Sequence, residues 1–371
     1  MSTITWMSEL MLKYPGFFNI DPGHQTREVN IGKIELRVFK SSDRKSDMLS
    51  LDQNYGISFD QNEEFPFGNT DQMEYYYQPE CHEIIDELRV PFRKIPVFKF
   101  ENDGAFKVLF NNIIKAFPKS EVCLRGQRKV YRTERNEDEL KLLYGCSQTK
   151  EPSFTPSFAR KKFSENFMTA LWHSQTANMF EFILYDFAKN KMNNEKFAQC
   201  YQSIERIRRS PHFTPLALAY AQHYGLPSVG LDLTREINVA KWFATFELNN
   251  VVNNGNVITP DLTESTIFIF ACRPDSVFSH RSLKPRHVEN TRPDRQDAWF
   301  NYSGWGSALN QLALQLVCAV RLDSTALTSI PSSYHKHLFP GSDEDIVLRY
   351  YQLKKNSPLN VGEVIRAFEN V

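Results

Sequence analysis

Apolar positions recur along the chain in two spacings. Phe106, Leu109, Phe110, Ile113, Ile114 and Phe117 fall three and four residues apart, which predicts a helix over residues 105–116 with one face toward a core. A longer helix is predicted over residues 163–192, where Phe167, Leu171, Ala177, Phe180, Ile183, Leu184 and Phe187 lie near one face. Residues 214–225 predict a third, with Thr214 as N-cap, Pro215 at the first helical position and Gly225 at the end.

Short apolar runs between these helices predict strands. Val122-Cys123-Leu124 leads straight into Arg125-Gly126-Gln127, and residues 228–233 form a short interior run after Pro227. Thr234 then stands as the N-cap of a helix through Ala240, Trp242, Phe243 and Phe246, ending in the Asn-rich residues 249–256. Residues 266–271 and 312–321 predict two further strands. Ser342-x-x-Asp345, a capping-box variant, opens a last helix over 343–353.

Two regions lack a steady period. In the first 120 residues one strand is predicted, over 29–39, where Ile31, Ile34, Leu36 and Val38 partly alternate. Residues 273–306 read as a long, charged, irregular segment, a length that in a compact domain points to a functional loop laid over a cleft and pinned by Trp299 and Phe300. The reading is an α+β domain over 105–355 with a mixed central sheet and flanking helices, an accessory region over 1–104 and a tail over 356–371.

Composition narrows the class without naming a partner. With 44 Lys+Arg against 44 Asp+Glu, 41% hydrophobic and 13% aromatic residues, the chain has the means to bury a core and has no net field to draw it onto nucleic acid or an anionic surface. The cysteines (Cys81, Cys123, Cys146, Cys200, Cys272, Cys318) form no CxxC pair and no zinc spacing, which fits a reducing cytosol. Glu9, Lys13 and Pro15 interrupt the first 20 residues, and the longest strongly apolar run, 267–272, is far short of the ~20 residues that span a bilayer. The expectation is a cytoplasmic protein with no membrane partner.

The sharpest polar constellation is Arg125-Gly126-Gln127 with Gln222-His223, Asp232 and Thr234, all at the ends of apolar elements. Buried polar groups must pair with each other or with a ligand. The residues alone fit a satisfied core network, in which Asp232 neutralises Arg125 or His223, as well as they fit a site. His223, in a last helical turn, is equally a cation favoured by the helix dipole and a base oriented by Asp232. Arg125, Arg128, Lys129, Arg132 and Arg135, extended by Arg160-Lys161-Lys162 and 206–209, make either a solvated basic face or a grip on a phosphate backbone. His335-Lys336-His337 has no third ligand nearby, so no metal is expected.

Several of these stretches, in order, resemble the FRG domain family: Leu124-Arg125-Gly126-Gln127, Pro156-Ser157-Phe158-Ala159-Arg160, Ala221-Gln222-His223-Tyr224-Gly225-Leu226-Pro227-Ser228, Leu231-Asp232-x-Thr234 with Ala240-x-x-Phe243-Ala244, Arg295-Gln296-x-Ala298-x-Phe300 and Leu338-Phe339-Pro340. The resemblance runs from about residue 105 to 350. It departs from the family at Leu124, at Val229-Gly230 where Arg-Leu is usual, at Leu233 where Trp is usual, and at Ala298.

More loosely, the order of elements resembles ADP-ribosyltransferases. That resemblance implies NAD as cofactor or substrate, with Arg125, Gly126 and Gln127 anchoring it, Thr234 lining the nicotinamide pocket and Gln296 at the late catalytic position. Gln296 carries no charge for an oxocarbenium-like transition state, a role open to Asp294 or Asp297. His223 and Asp232 complete the candidate catalytic set. The implied functions are an NAD-using or NAD-cleaving enzyme, a toxin or defence effector acting on protein or nucleic acid, or a non-catalytic module that binds nucleotide or nucleic acid.

Overall fold

The computed structural model describes residues 24–31, 34–41, 83–90, 93–100, 102–137, 140, 146–156, 165–248, 257–258, 264–301, 310–322 and 330–355. Residues 157–164, 249–256, 302–306 and 356–371, which hold part of the proline–arginine motif, the Arg160 cluster, the Asn-rich segment, the end of the long charged segment and the tail, lie outside them. The protein is α+β with a mixed sheet, and its chain divides into two compact units. Among the described residues no helix is long and apolar enough to cross a membrane.

The first unit takes residues 1–155, 261–276 and 303–329. Its strands lie in the order Glu83–Val90, Arg93–Lys99, Leu316–Arg321, Thr266–Cys272, Glu121–Gln127. Leu316–Arg321 runs parallel to Arg93–Lys99 and the other pairings are antiparallel. Thr266–Cys272 pairs on both edges and is buried along its whole length, which is why its sequence is a continuous apolar run rather than an alternating one. Phe154 stands edge-on to Phe268 and Phe270, with ring centres 4.9 and 5.1 Å apart. The Asp103–Ala116 helix buries Phe106, Leu109, Phe110 and Ile113, and Asn102 caps it by accepting from the Ala105 N–H at 3.0 Å.

The second unit takes residues 156–260, 277–302 and 330–371. Its helices Glu165–Lys189, Asn194–Arg208, Phe213–His223 and Ile346–Lys355 enclose a core around Trp172, Phe180, Ile204, Tyr220 and Val347. An antiparallel ribbon, in the order Val277–Ser279, Ala298–Asn301, Leu231–Thr234, adds Phe300 to that core. A smaller cluster joins Trp242 and Val239 of the Ile237–Thr245 helix to Leu338 and Phe339.

Several local expectations shift. The single strand expected over 29–39 is a hairpin, His24–Ile31 paired with Ile34–Ser41. The Phe213–His223 helix begins before Thr214, whose hydroxyl lies 2.8 Å from His173 Nε2 instead of capping. Residues 311–315 are a 3₁₀ turn, so the strand expected over 312–321 is Leu316–Arg321. The last helix starts at Ile346, and Asp345 accepts from the Val347 and Leu348 N–H groups at 2.9 and 3.0 Å, so it is itself the cap. Residues 273–301 are not an irregular loop. They hold the strands Val277–Ser279 and Ala298–Asn301 and the short helices His280–Leu283 and Arg292–Arg295, the latter closed by a Thr291/Asp294 capping box.

Gly230 packs against the neighbouring strand with no room for a side chain. A Cβ there would overlap the Phe300 ring and the Asn301 carbonyl of the neighbouring strand. Gly230→Ala is therefore expected to lower stability by roughly 1–3 kcal/mol through overpacking, read as the midpoint of urea unfolding followed by tryptophan fluorescence. An unchanged midpoint contradicts this account.

Candidate functional site

His223 ends the Phe213–His223 helix. The turn after it closes with Leu226 N–H donating to the Ala221 carbonyl at 2.9 Å and with Gly225 at φ +80°, a conformation glycine adopts without strain. The chain then passes Gly230 and enters Leu231–Thr234, which carries Asp232. This reversal brings His223 Nε2 to 3.3 Å from Asp232 Oδ1, without the alignment of a hydrogen bond. The His223 side chain is 3% exposed and the Asp232 side chain 29%, so the pair is an interior imidazole beside a carboxyl group that reaches solvent.

Thr234 is not a helix N-cap. It sits in the strand, while Glu236 precedes the helix that starts at Ile237. Its hydroxyl accepts from the Glu236 N–H at 3.0 Å and donates to the Gln296 carbonyl at 2.8 Å, tying the strand to the turn after Arg292–Arg295. The Gln296 side chain is buried and donates Nε2–H to the Leu338 carbonyl at 3.1 Å. The two acids offered in its place are also engaged. Asp294 lies 2.7 Å from Lys284 Nζ and closes the capping box, and Asp297 lies 3.5 Å from Arg281 Nε. Gln296 and Asp294 thus tie this turn to neighbouring segments, while Asp297 meets the largely exposed Arg281.

Arg125, Gly126 and Gln127 belong to the first unit, on Glu121–Gln127, where they stand opposite Phe268, Ile267 and Thr266. Each is partly exposed. Of the basic run that follows, Arg135 is neither a solvated residue nor a grip on phosphate: it is buried in a fork–fork pair with Glu151, Nε to Oε2 at 2.6 Å and Nη2 to Oε1 at 2.9 Å. Among the described residues no group of His, Cys, Asp and Glu has the arrangement of a metal site.

The sequence reading missed the residues behind His223. Tyr220, one helical turn earlier, is buried and meets the buried His280 ring edge-on at 5.0 Å between centres. Burial holds the His280 imidazole well below its usual range, with His223 and Lys284 adding to the shift. Burial, together with Asp294 and Asp345, pushes the Tyr220 phenol well up. The i, i+3 spacing of Tyr220 and His223 was a usable signal. His280 offered none, because its helix is a single turn.

Residues 128–251 match the family model of the FRG domain, a stretch that holds His223, Asp232 and Thr234. No curated protein and no solved structure matches the chain. The turn from His223 to Asp232, built by the motif Gln222-His223-Tyr224-Gly225-Leu226-Pro227, thus lies inside the matched segment, and the chain carries an FRG domain.

Proposed function

We propose that this FRG domain acts on a dinucleotide of the NAD class, with His223 and Asp232 as the reacting pair. The observation that supports this is their 3.3 Å approach, with the imidazole inside and the carboxylate reaching solvent. NAD would supply a glycosidic bond to a cationic nicotinamide, which leaves as a neutral ring. Asp232 places negative charge where positive charge develops on the ribose, the role Gln296 cannot fill. His223, whose Nε2 faces Asp232, accepts on its other ring nitrogen the proton of the attacking hydroxyl, from water or an acceptor, as oxygen bonds to the anomeric carbon.

A second reading, a module that binds nucleotide without turning it over, draws support from the commitment of Thr234 and Gln296 to backbone partners. Incubating the purified full chain with NAD and following nicotinamide release separates the two. The first reading expects release by the wild type, lowered about 10²–10⁴-fold in Asp232→Asn, the range for loss of one acid–base or electrostatic group. No release, together with thermal stabilisation by NAD, selects the binding module.

A further inference from the structure

Three polar atoms in one part of the second unit have no hydrogen-bond partner among the described residues although their side chains are almost wholly buried: His223 Nε2, the Tyr220 hydroxyl, and a ring nitrogen of His280, whose other nitrogen is in the same condition. They belong together. Tyr220 and His223 are one turn apart on Phe213–His223, that helix packs on His280–Leu283, and the Tyr220 and His280 rings touch edge to face. An unsatisfied buried polar group costs roughly 1–3 kcal/mol, so a folded core does not leave several of them unmet.

We propose that Tyr220, His223 and His280 hold an internal water molecule behind Asp232, and that His280 is a positioning residue which acts on His223 through that water. The water accepts from His223 Nε2–H and donates to the bare nitrogen of the neutral His280, with Tyr220 O–H as a second donor. Such a site meets the usual two to four polar partners of a buried water. It also accounts for the approach of His223 to Asp232 without hydrogen-bond alignment, because the Nε2–H has a second acceptor. The elements packed on the His280 helix are Phe213–His223, Arg292–Arg295 and the strands Val277–Ser279 and Ala298–Asn301. Their charged and titratable residues are Tyr220, His223, Arg292, Asp294 and Arg295, beside Arg281 and Lys284 on the helix itself. Lys284 is paired with Asp294, Arg281 with Asp297 and Arg295 with Glu344, and the Arg292 guanidinium lies over Tyr224 and Phe339.

This inference deepens the proton-accepting role proposed for His223, and its test needs no turnover of NAD. Imidazole ¹H–¹⁵N spectra of the labelled full chain are recorded between pH 8 and pH 5. His280 is expected to stay neutral in one tautomer throughout. The His223 Nε2–H resonance is expected to move in His280→Phe, which removes the water's acceptor, and to return in His280→Gln, which restores one. Titration of His280 near the ordinary value of about 6.5 overturns the proposal. So does an unmoved His223 Nε2–H resonance in His280→Phe. Should the variants fail to fold, a high-resolution crystal structure of the wild type decides: an ordered water about 2.7–3.2 Å from His223 Nε2 and from a His280 nitrogen supports the site, and its absence there refutes it. Loss of the NAD reading alone leaves these outcomes unchanged.

Discussion

Asp345→Ala is expected to destabilise the second unit by roughly 3–5 kcal/mol, the range for removing the acceptor at the centre of a buried network. Asp345 is fully buried, and its Oδ2 accepts from the Tyr224 hydroxyl at 2.6 Å and from the Arg292 N–H at 3.0 Å. Oδ1 accepts from the Val347 and Leu348 N–H groups at 2.9 and 3.0 Å, so one carboxylate caps the last helix and holds both the Phe213–His223 and the Arg292–Arg295 elements to it. Burial pushes the Asp345 carboxyl above its usual range, opposed by these hydrogen bonds and by the Arg292 charge. Alanine leaves the Tyr224, Arg292, Val347 and Leu348 donors buried without this acceptor. Asp345→Asn is expected to lose less, because its remaining oxygen can still cap the helix while its amide faces the Arg292 N–H. Urea unfolding followed by fluorescence reads this unit through Trp172, Trp242 and Trp299. A loss below about 1 kcal/mol in the alanine variant contradicts a central role.

What the amino-acid sequence disclosed depended on how far away each residue's partner lies. The Asp103–Ala116 helix and the Thr266–Cys272 strand are legible because their apolar spacing is local and long enough to repeat. The end of Phe213–His223 was legible too, since Gly225 at φ +80° is a local backbone requirement. Thr214 and Thr234 misled because a hydroxyl before a helix has the same local pattern whether it caps or bonds elsewhere. Here one meets His173, 41 residues earlier, and the other the Gln296 carbonyl, 62 residues later. Residues 273–301 were illegible because their strands and helices are three or four residues long, shorter than the periods by which elements are recognised, and the strands are fixed by distant pairing, Val277–Ser279 on Ala298–Asn301 and that strand on Leu231–Thr234. The same holds for the candidate site. His223 and Asp232 stood out as polar groups at the ends of adjacent apolar elements, whereas the commitment of Gln296 to the Leu338 carbonyl, 42 residues on, left no trace in its neighbours.

In the first unit, Glu151→Gln and Glu151→Leu are each expected to destabilise by about 3–5 kcal/mol, the cost of leaving one buried charge without its counter-charge. Both partners of the Arg135–Glu151 pair are nearly inaccessible, with side chains 2% and 1% exposed. The pair closes a short bracket in which Thr133 N–H donates to the Glu151 carbonyl at 3.0 Å and Ser153 N–H to the Tyr131 carbonyl at 2.8 Å. Asn310 crosses the same bracket from another part of the unit, donating Nδ2–H to the Pro152 carbonyl at 2.8 Å and accepting from the Phe154 N–H at 2.7 Å. Removing Glu151 alone strands the Arg135 guanidinium in that interior, and glutamine offers it one oxygen and no charge. Desolvation consumes much of the attraction of a buried pair, so the double variant Arg135→Met/Glu151→Leu is expected to recover most of the loss, to within about 1–2 kcal/mol of the wild type. Hydrogen exchange resolved by peptide localises the effect to residues 131–135 and 151–154. Additive losses in the double variant would mean that each residue is held by separate partners and that the fork between them contributes little; full recovery would show that Arg135 serves the fold and leaves no charge for a phosphate backbone.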